Sequence, residues 1–282
     1  MTEPGRAALD VILPVHNGRA ALTVCLRHLA RTLDAATQIE IIDDASTDPL
    51  IWPLLEAFQS AHPERVRLQS QAQNLGFVAT VEAAIRRSRH DVVLLNSDTV
   101  PTRGWLERLR VCLASDPRIA TATPFSNNAE ICSFPELCRA APVPDDPDRV
   151  AAACRAAGPP SYPELPTGVG FCLAVSRRAL EQLGGFDTAT FGLGYGEEND
   201  FCRRAAGHGW RNVLCDDAFV GHVGNVSFGE RALSPGGVNA ERLSARYPDY
   251  NRLVADFIAN DPLAARRTAI QAALEAGMQA NP

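Results

Sequence analysis

Apolar residues in this chain come as short continuous runs separated by stretches of helical period. Residues 9–15 (LDVILPV) are the first run, 39–42 the second, 66–68 a shorter third and 91–95 (DVVLL) the fourth. Runs of this length, apolar at nearly every position, predict strands buried on both faces. Between the first two, Leu22, Cys25, Leu26 and Leu29 recur at helical spacing within residues 20–33, and further helices are predicted over 51–61 and 78–88. The resulting β-α-β-α-β-α-β order predicts a parallel sheet with right-handed crossovers.

The second half is less regular. A helix is expected over 105–114 and a strand over 119–123. Residues 139–166 are rich in Pro, Ala and Asp and read as an irregular excursion with one helix near 148–157. Then come a strand at 170–175, a helix at 177–183 and a glycine-rich loop at 191–196 that opens a helix to about 206. Strand pieces follow at 212–215 and 218–220, then a Gly/Pro loop near 234–237 and one or two terminal helices split at Pro262. The expected fold class is α/β: a mostly parallel central sheet with helices on both faces, one domain over 1–228 divided into halves 9–100 and 101–228. The insert 139–166 lies within it, and a loop and helical tail occupy 229–282.

Composition narrows the function by exclusion. A net charge of −6 and an isoelectric point near 5.6 argue against nucleic acid as a partner. Eight cysteines include no C-x-x-C pair, so reduced, mostly buried thiols are expected, in a cytoplasmic setting. No secretory leader is expected in the short polar N-terminus, and no apolar run reaches the ~20 residues of a membrane span. Peripheral association with the inner face of a membrane stays open.

Four polar clusters follow the predicted strands: His16-Asn17, Asp43-Asp44, Asn74-Leu75-Gly76 and Asn96-Ser97-Asp98. Strand ends of a parallel sheet share one edge, so the clusters converge on one crevice. The first strand-to-helix turn, Pro14 to Gly18, has no G-x-G-x-x-G, and no phosphate-cradling G-x-x-x-x-G-K-[ST] occurs. A divalent cation on Asp98 is another way to offset the charge of bound phosphates.

These residues resemble a known family. Pro14-Val15-His16-Asn17, the stretch Ile42-Asp43-Asp44-Ala45-Ser46-Thr47-Asp48, Asn74-Leu75-Gly76-Phe77 and Asn96-Ser97-Asp98 are similar to the N-terminal half of family 2 glycosyltransferases, which have the GT-A fold. Thr167 to Leu180 and Gly184-Gly185-Phe186-Asp187 resemble that family's acceptor-side strand and helix, and Gly196 to Arg204 its Glu-Asp motif. The resemblance spans about residues 9–228.

It implies an inverting transferase that moves a sugar from a UDP, dTDP or GDP donor to the hydroxyl of a glycan or glycolipid acceptor, in polysaccharide, lipopolysaccharide or glycolipid synthesis. Pro14, Val15, His16, Asn17, Asp43, Asp44, Asn74, Gly76, Asn96 and Ser97 would form the nucleotide site. Asp98 and His222 would bind Mn2+ or Mg2+, with Asn96 standing where the family's metal motif usually has its first acid. Glu198 would be the catalytic base, with Glu197 as the alternative. Gly168, Asn127 and Gly196 would face the donor or acceptor sugar, and Trp105 would be core or pocket wall. Acids at a helix start also have a plainer explanation, since each complements the helix dipole by ~0.3–1 kcal/mol. Two other functions fit an α/β nucleotide protein: a sugar-nucleotide pyrophosphorylase, which would want a basic Gly-rich first loop, and a non-catalytic nucleotide- or carbohydrate-binding module.

Overall fold

The computed structural model describes residues 8–192, 194–224 and 237–279. The alternation read from the sequence is present: β1 (Leu9–Val15), α1 (Arg19–Thr32), β2 (Thr37–Asp43), α2 (Ile51–Ala61), β3 (Val66–Ser70), α3 (Phe77–Arg87) and β4 (Asp91–Leu95). These four strands are mutually parallel in the order β3-β2-β1-β4. Their side chains alternate between two cores, as a strand period of two requires. Val11, Leu13, Val93 and Leu95 face one core, built from α1, α2 and residues further along the chain. Ile12, Val92 and Leu94 face the other, under α3.

Past β4 the sheet becomes mixed, while parallel pairings still predominate as expected. The chain runs through β5 (Thr99–Pro101), α4 (Trp105–Ser115), β6 (Ile119–Phe125), α5 (Pro147–Ala156), β7 (Cys172–Val175), α6 (Arg177–Leu183), α7 (Thr188–Phe191), α8 (Glu197–Gly207) and β8 (Arg211–His222). The full order is β3-β2-β1-β4-β7-β6-β8-β5, with β7 antiparallel to both its neighbours and β5 antiparallel to β8. The cause is the excursion between β6 and β7, which brings the chain back to the edge of the sheet that β6 left, so that β7 runs in the reverse direction. The two strand pieces expected near 212–220 are one strand, and Glu164 bridges it at Val213. The helix of the excursion starts at Pro147, capped by Asp146 accepting from the Arg149 amide.

Three helices end the chain rather than one or two: α9 (Val238–Arg246), α10 (Tyr250–Asn260) and α11 (Ala264–Gln279). They belong to the same body. Arg266 of α11 donates to the carbonyls of Cys154, Ala157 and Gly158 at the end of α5 and pairs with Asp216 of β8 at 3.1 Å. Residues 225–228, the last of the family-like stretch, and most of the expected 234–237 loop lie outside the described residues. All eight cysteines are free thiols, and Cys138 alone of them is exposed. Among the described residues no helix is long and apolar enough to cross a membrane.

Candidate active site

The C-terminal ends of β1, β2 and β4, the turn after β6, the start of α8 and the face of α9 enclose a cavity of about 1130 Å³. Its first wall is the strand-end cluster. Pro14, Val15, His16, Asp44, Gly76, Asn96 and Ser97 all line it. Asp44 is buried and takes backbone donors from the loop before α3: Leu75 N–H at 2.7 Å and Gly76 N–H at 2.9 Å. Gly76 can present that amide because it sits at φ 85, where a side chain would be strained. His16 Nδ1 donates to the Asp44 carbonyl at 2.9 Å, leaving Nε2 to accept from Asn74 Nδ2 at 3.2 Å.

Three residues expected at the nucleotide have other employment. Asn17 receives the Thr47 and Asp48 amides on Oδ1, and Asp43 receives the Ser46 amide. Neither lines the cavity; they tie the turn after β1 to the loop after β2. Asn74 reaches the wall only through His16 and Gly76.

The second wall follows from sheet register. β5 is too short and too rich in Thr and Pro to read as a strand from sequence. Its pairing sets Thr99 opposite His222, which brings Asp98 beside the imidazole. His222 Nε2 lies 3.5 Å from Asp98 Oδ1, and Asp98 Oδ2 accepts the Gly224 amide at 3.1 Å. His222 Nδ1 is 2.7 Å from the Asn128 carbonyl, which has no proton to give, so Nδ1–H is the donor. In the neutral ring the Nε2 lone pair therefore faces a carboxylate. Only a proton or a metal cation makes that approach favourable. Burial opposes protonation of His222, and the Asp98 carboxylate more than offsets it, so its pKa is raised. A carboxylate oxygen and an imidazole nitrogen oriented through its other nitrogen are also a familiar donor pair for a divalent ion, and 3.5 Å is within reach of two ligands each ~2.0–2.2 Å from one centre. The residues fit a cation. Among the described residues no group of three or more His, Cys, Asp or Glu side chains stands together as a metal site, so this pair supplies two donors.

Asn127 is placed otherwise than expected. It is 2% exposed, and its Nδ2 donates to the Ala141 and His222 carbonyls while Oδ1 accepts the His222 amide. It clips β6 to β8 rather than facing a sugar; its neighbours Asn128, Ala129 and Glu130 line the cavity instead. Trp105 is in the core. Gly168 does line the cavity, and its lack of a side chain has a packing reason: a Cβ there would meet Leu173 Cδ1 at 2.5 Å.

The third wall carries Glu197 and Glu198 at the start of α8. Glu197 is 4% exposed, Glu198 partly buried, and the Oε2 of each has no hydrogen-bond partner among the described residues. Burial, then the neighbouring Glu198, pushes the Glu197 carboxyl well above the ordinary range. Burial pushes Glu198 to about 7, against the pull of nearby backbone amides. Of these two adjacent carboxyls in one wall, burial and its neighbour bias Glu197 towards the protonated form, and Glu198 exchanges its proton near neutrality. Gly170 leaves space beside Glu198, whose carboxyl a Cβ there would touch at 3.6 Å.

This charge state has a stability consequence. A carboxyl whose folded pKa lies above its unfolded value stabilises fully below about 4.5 and loses that contribution as pH rises through about 7. Glu198→Gln is therefore expected to raise the melting temperature at pH 8 by roughly 2–4 °C, the effect of ~1 kcal/mol in a chain of this size, and to leave it unchanged at pH 4. Thermal melts across that range check it; a variant less stable than native at pH 8 would contradict it.

Sequence patterns did not point to the tail as part of the site. Asn239 and Tyr250 of α9 and α10 line the cavity, and Asn239 Nδ2 holds the Gly194 carbonyl at 2.8 Å. Asp200 pairs with Arg204 one turn on at 2.8 Å, yet Asp200, fully buried, also accepts from Arg246 and Tyr247 of the tail. Just ahead of Glu197, Tyr195 sits at φ 64, a region that costs a bulky residue ~1–2 kcal/mol.

A parallel half-sheet joined to a mixed half over one cleft, with an acidic strand-end turn beneath it, is the arrangement of GT-A proteins. The chain belongs to glycosyl transferase family 2, whose sequence profile matches residues 10–184. That match ends before Glu197, Glu198 and His222, whose roles rest on their positions. Among solved structures, the fold is similar to GalNAc-T7 with UDP, GalNAc and Mn2+, at TM-score 0.64 and 14% identity over 95% of this chain and 55% of that one. It is also similar to the mannosyltransferase PcManGT of Pyrobaculum calidifontis in complex with GDP-Man and Mn2+, at 0.60 and 18% over 99% and 77%. TarS of S. aureus with UDP-GlcNAc gives 0.55 and 14% over 93% and 70%. The chain thus spans little more than half of GalNAc-T7. No curated protein sequence matches it.

Proposed function

We propose that this protein is an inverting, cation-dependent glycosyltransferase that moves a sugar from a nucleoside diphosphate to a glycan or glycolipid hydroxyl. The observation that carries the reading is one cavity with Asp98 and His222 on one wall and Glu197 and Glu198 on another. The strand-end residues Val15, His16, Asp44 and Gly76 hold the nucleotide. Asp98 and His222 hold Mn2+ or Mg2+, which when bound offsets the charge of the leaving diphosphate. Glu198 takes the proton of the acceptor hydroxyl as it attacks the anomeric carbon from the face opposite the nucleotide. Glu197, protonated, keeps negative charge from building up beside it. The similar structures of GalNAc-T7 with UDP, GalNAc and Mn2+, PcManGT with GDP-Man and Mn2+ and TarS with UDP-GlcNAc support the donor class.

Nucleotide release from UDP-, dTDP- and GDP-sugars tests the reading. At least one donor should turn over with Mn2+ or Mg2+ and stop with EDTA. Tight nucleotide binding with no turnover of any donor, across a glycan acceptor panel, would favour a binding module.

A further inference from the structure

Gly194, Tyr195 and Gly196 are consecutive and have φ 96, 64 and 101. Glycine enters this region freely, whereas for tyrosine it is an outlier. The turn is held from three directions. Gly194 N–H donates to the Phe191 carbonyl at 2.8 Å, the Gly194 carbonyl accepts from Asn239 Nδ2 at 2.8 Å, and the Gly196 carbonyl accepts the Asp200 amide at 2.8 Å. A bulky residue kept in an unfavourable conformation by its surroundings is characteristic of functional sites. Here it carries the side chain to the cavity wall directly ahead of Glu197 and Glu198. Burial, and then the negative charge around the cavity, that of Glu198 first, keep the phenol protonated. Tyr195 lines the same cavity as both the Glu197–Glu198 wall and the Asp98–His222 wall.

The geometry points to Tyr195 as the residue that positions the donor's sugar ring between the Asp98–His222 pair and the Glu197–Glu198 pair. This rests on the nucleotide-sugar reading above. A phenol is suited to holding a sugar, because its face packs on the C–H side of a pyranose and its hydroxyl donates to a sugar oxygen. Tyr195 contacts the sugar and not the nucleotide, so its removal separates the two halves of the donor energetically.

Thermal shifts read that separation without an acceptor. The probes are UDP, UDP-glucose, UDP-GlcNAc, dTDP, dTDP-glucose, GDP and GDP-mannose, each with Mn2+. The native protein is expected to melt about 2 °C or more higher with the matched nucleotide-sugar than with its nucleoside diphosphate. Tyr195→Gly should melt within about 2 °C of native without ligand, because relief of the backbone offsets lost contacts. It should keep the diphosphate shift and lose the additional shift from the sugar, while Tyr195→Phe keeps most of both. Retention of the additional shift in Tyr195→Gly would overturn the inference. Loss of the diphosphate shift as well would also overturn it, since a purely structural role would then suffice. A native protein that responds to no nucleotide sinks the transferase reading itself, and the inference with it.

Discussion

Replacing Asp98 by alanine is expected to lower nucleotide release from the matched donor by about 10³-fold, which is ~4 kcal/mol of lost stabilisation. Asp98 is 6% exposed, and its carboxylate is shared between the His222 imidazole and the Gly224 amide. Alanine removes one of two candidate cation ligands and leaves His222 Nε2 without its counter-charge. The His222 pKa should fall, because burial would then be opposed only by the hydrogen bond to the Asn128 carbonyl. The fold should survive, since Asp98 is anchored through its backbone as well: its carbonyl accepts the Val223 amide at 3.0 Å. Initial rates with saturating Mn2+, beside circular dichroism of both proteins, decide the matter. A folded variant within tenfold of native would remove Asp98 from the chemistry.

The second large effect is expected at Glu198. Glu198→Gln should keep donor binding and lose transfer by roughly 10²–10⁴-fold, the range of a missing general base. Glu197→Gln should cost far less, because burial and the neighbouring Glu198 bias the Glu197 carboxyl towards its neutral form, whose charge the amide reproduces. Native activity should rise with pH through about 7 as Glu198 loses its proton, and the residual activity of Glu198→Gln should show no such rise. Transfer rates from pH 5 to 9 for the three proteins separate the roles. The opposite ranking, with Glu197→Gln inactive and Glu198→Gln active, would exchange the base assignment.

The parallel half of the fold was legible because its strands are buried on both faces. Continuous runs such as Val92 to Leu95 have no other stable place in an α/β protein. The convergence of the strand-end clusters followed from topology alone, since parallel strands deliver their end residues to one edge. What the pattern could not show was the division of labour within a cluster. His16 and Asp44 face the cavity, while Asn17 and Asp43, adjacent to them in sequence, brace the loops behind. One residue of shift moves a side chain across the backbone, and turn geometry rather than residue type decides which one is presented. Asn127 and Asn128 repeat the pattern after β6.

The Asp98–His222 wall was legible in its parts but not in its cause. Asp98 and His222 are far apart in sequence, and what joins them is a three-residue strand carrying a proline. Pro101 sits on the sheet's edge, where a missing N–H is tolerated, yet it hides the strand from any propensity argument. The tail was least legible. Asn239, Arg246 and Tyr250 are ordinary residues of amphipathic helices, and their contribution arises only when those helices fold back onto α8. Tyr195 did leave a trace, as the single bulky residue between Gly194 and Gly196.

The most direct test of cation-dependent donor binding is a crystal of the protein grown with Mn2+ and the matched nucleoside diphosphate, with data collected for anomalous scattering from manganese. The expected result is a manganese peak bonded to Asp98 and His222 Nε2, with the diphosphate on the same ion and the base beside Asp44 and Gly76. A nucleotide bound elsewhere, or in this cavity with no manganese at Asp98, would contradict it.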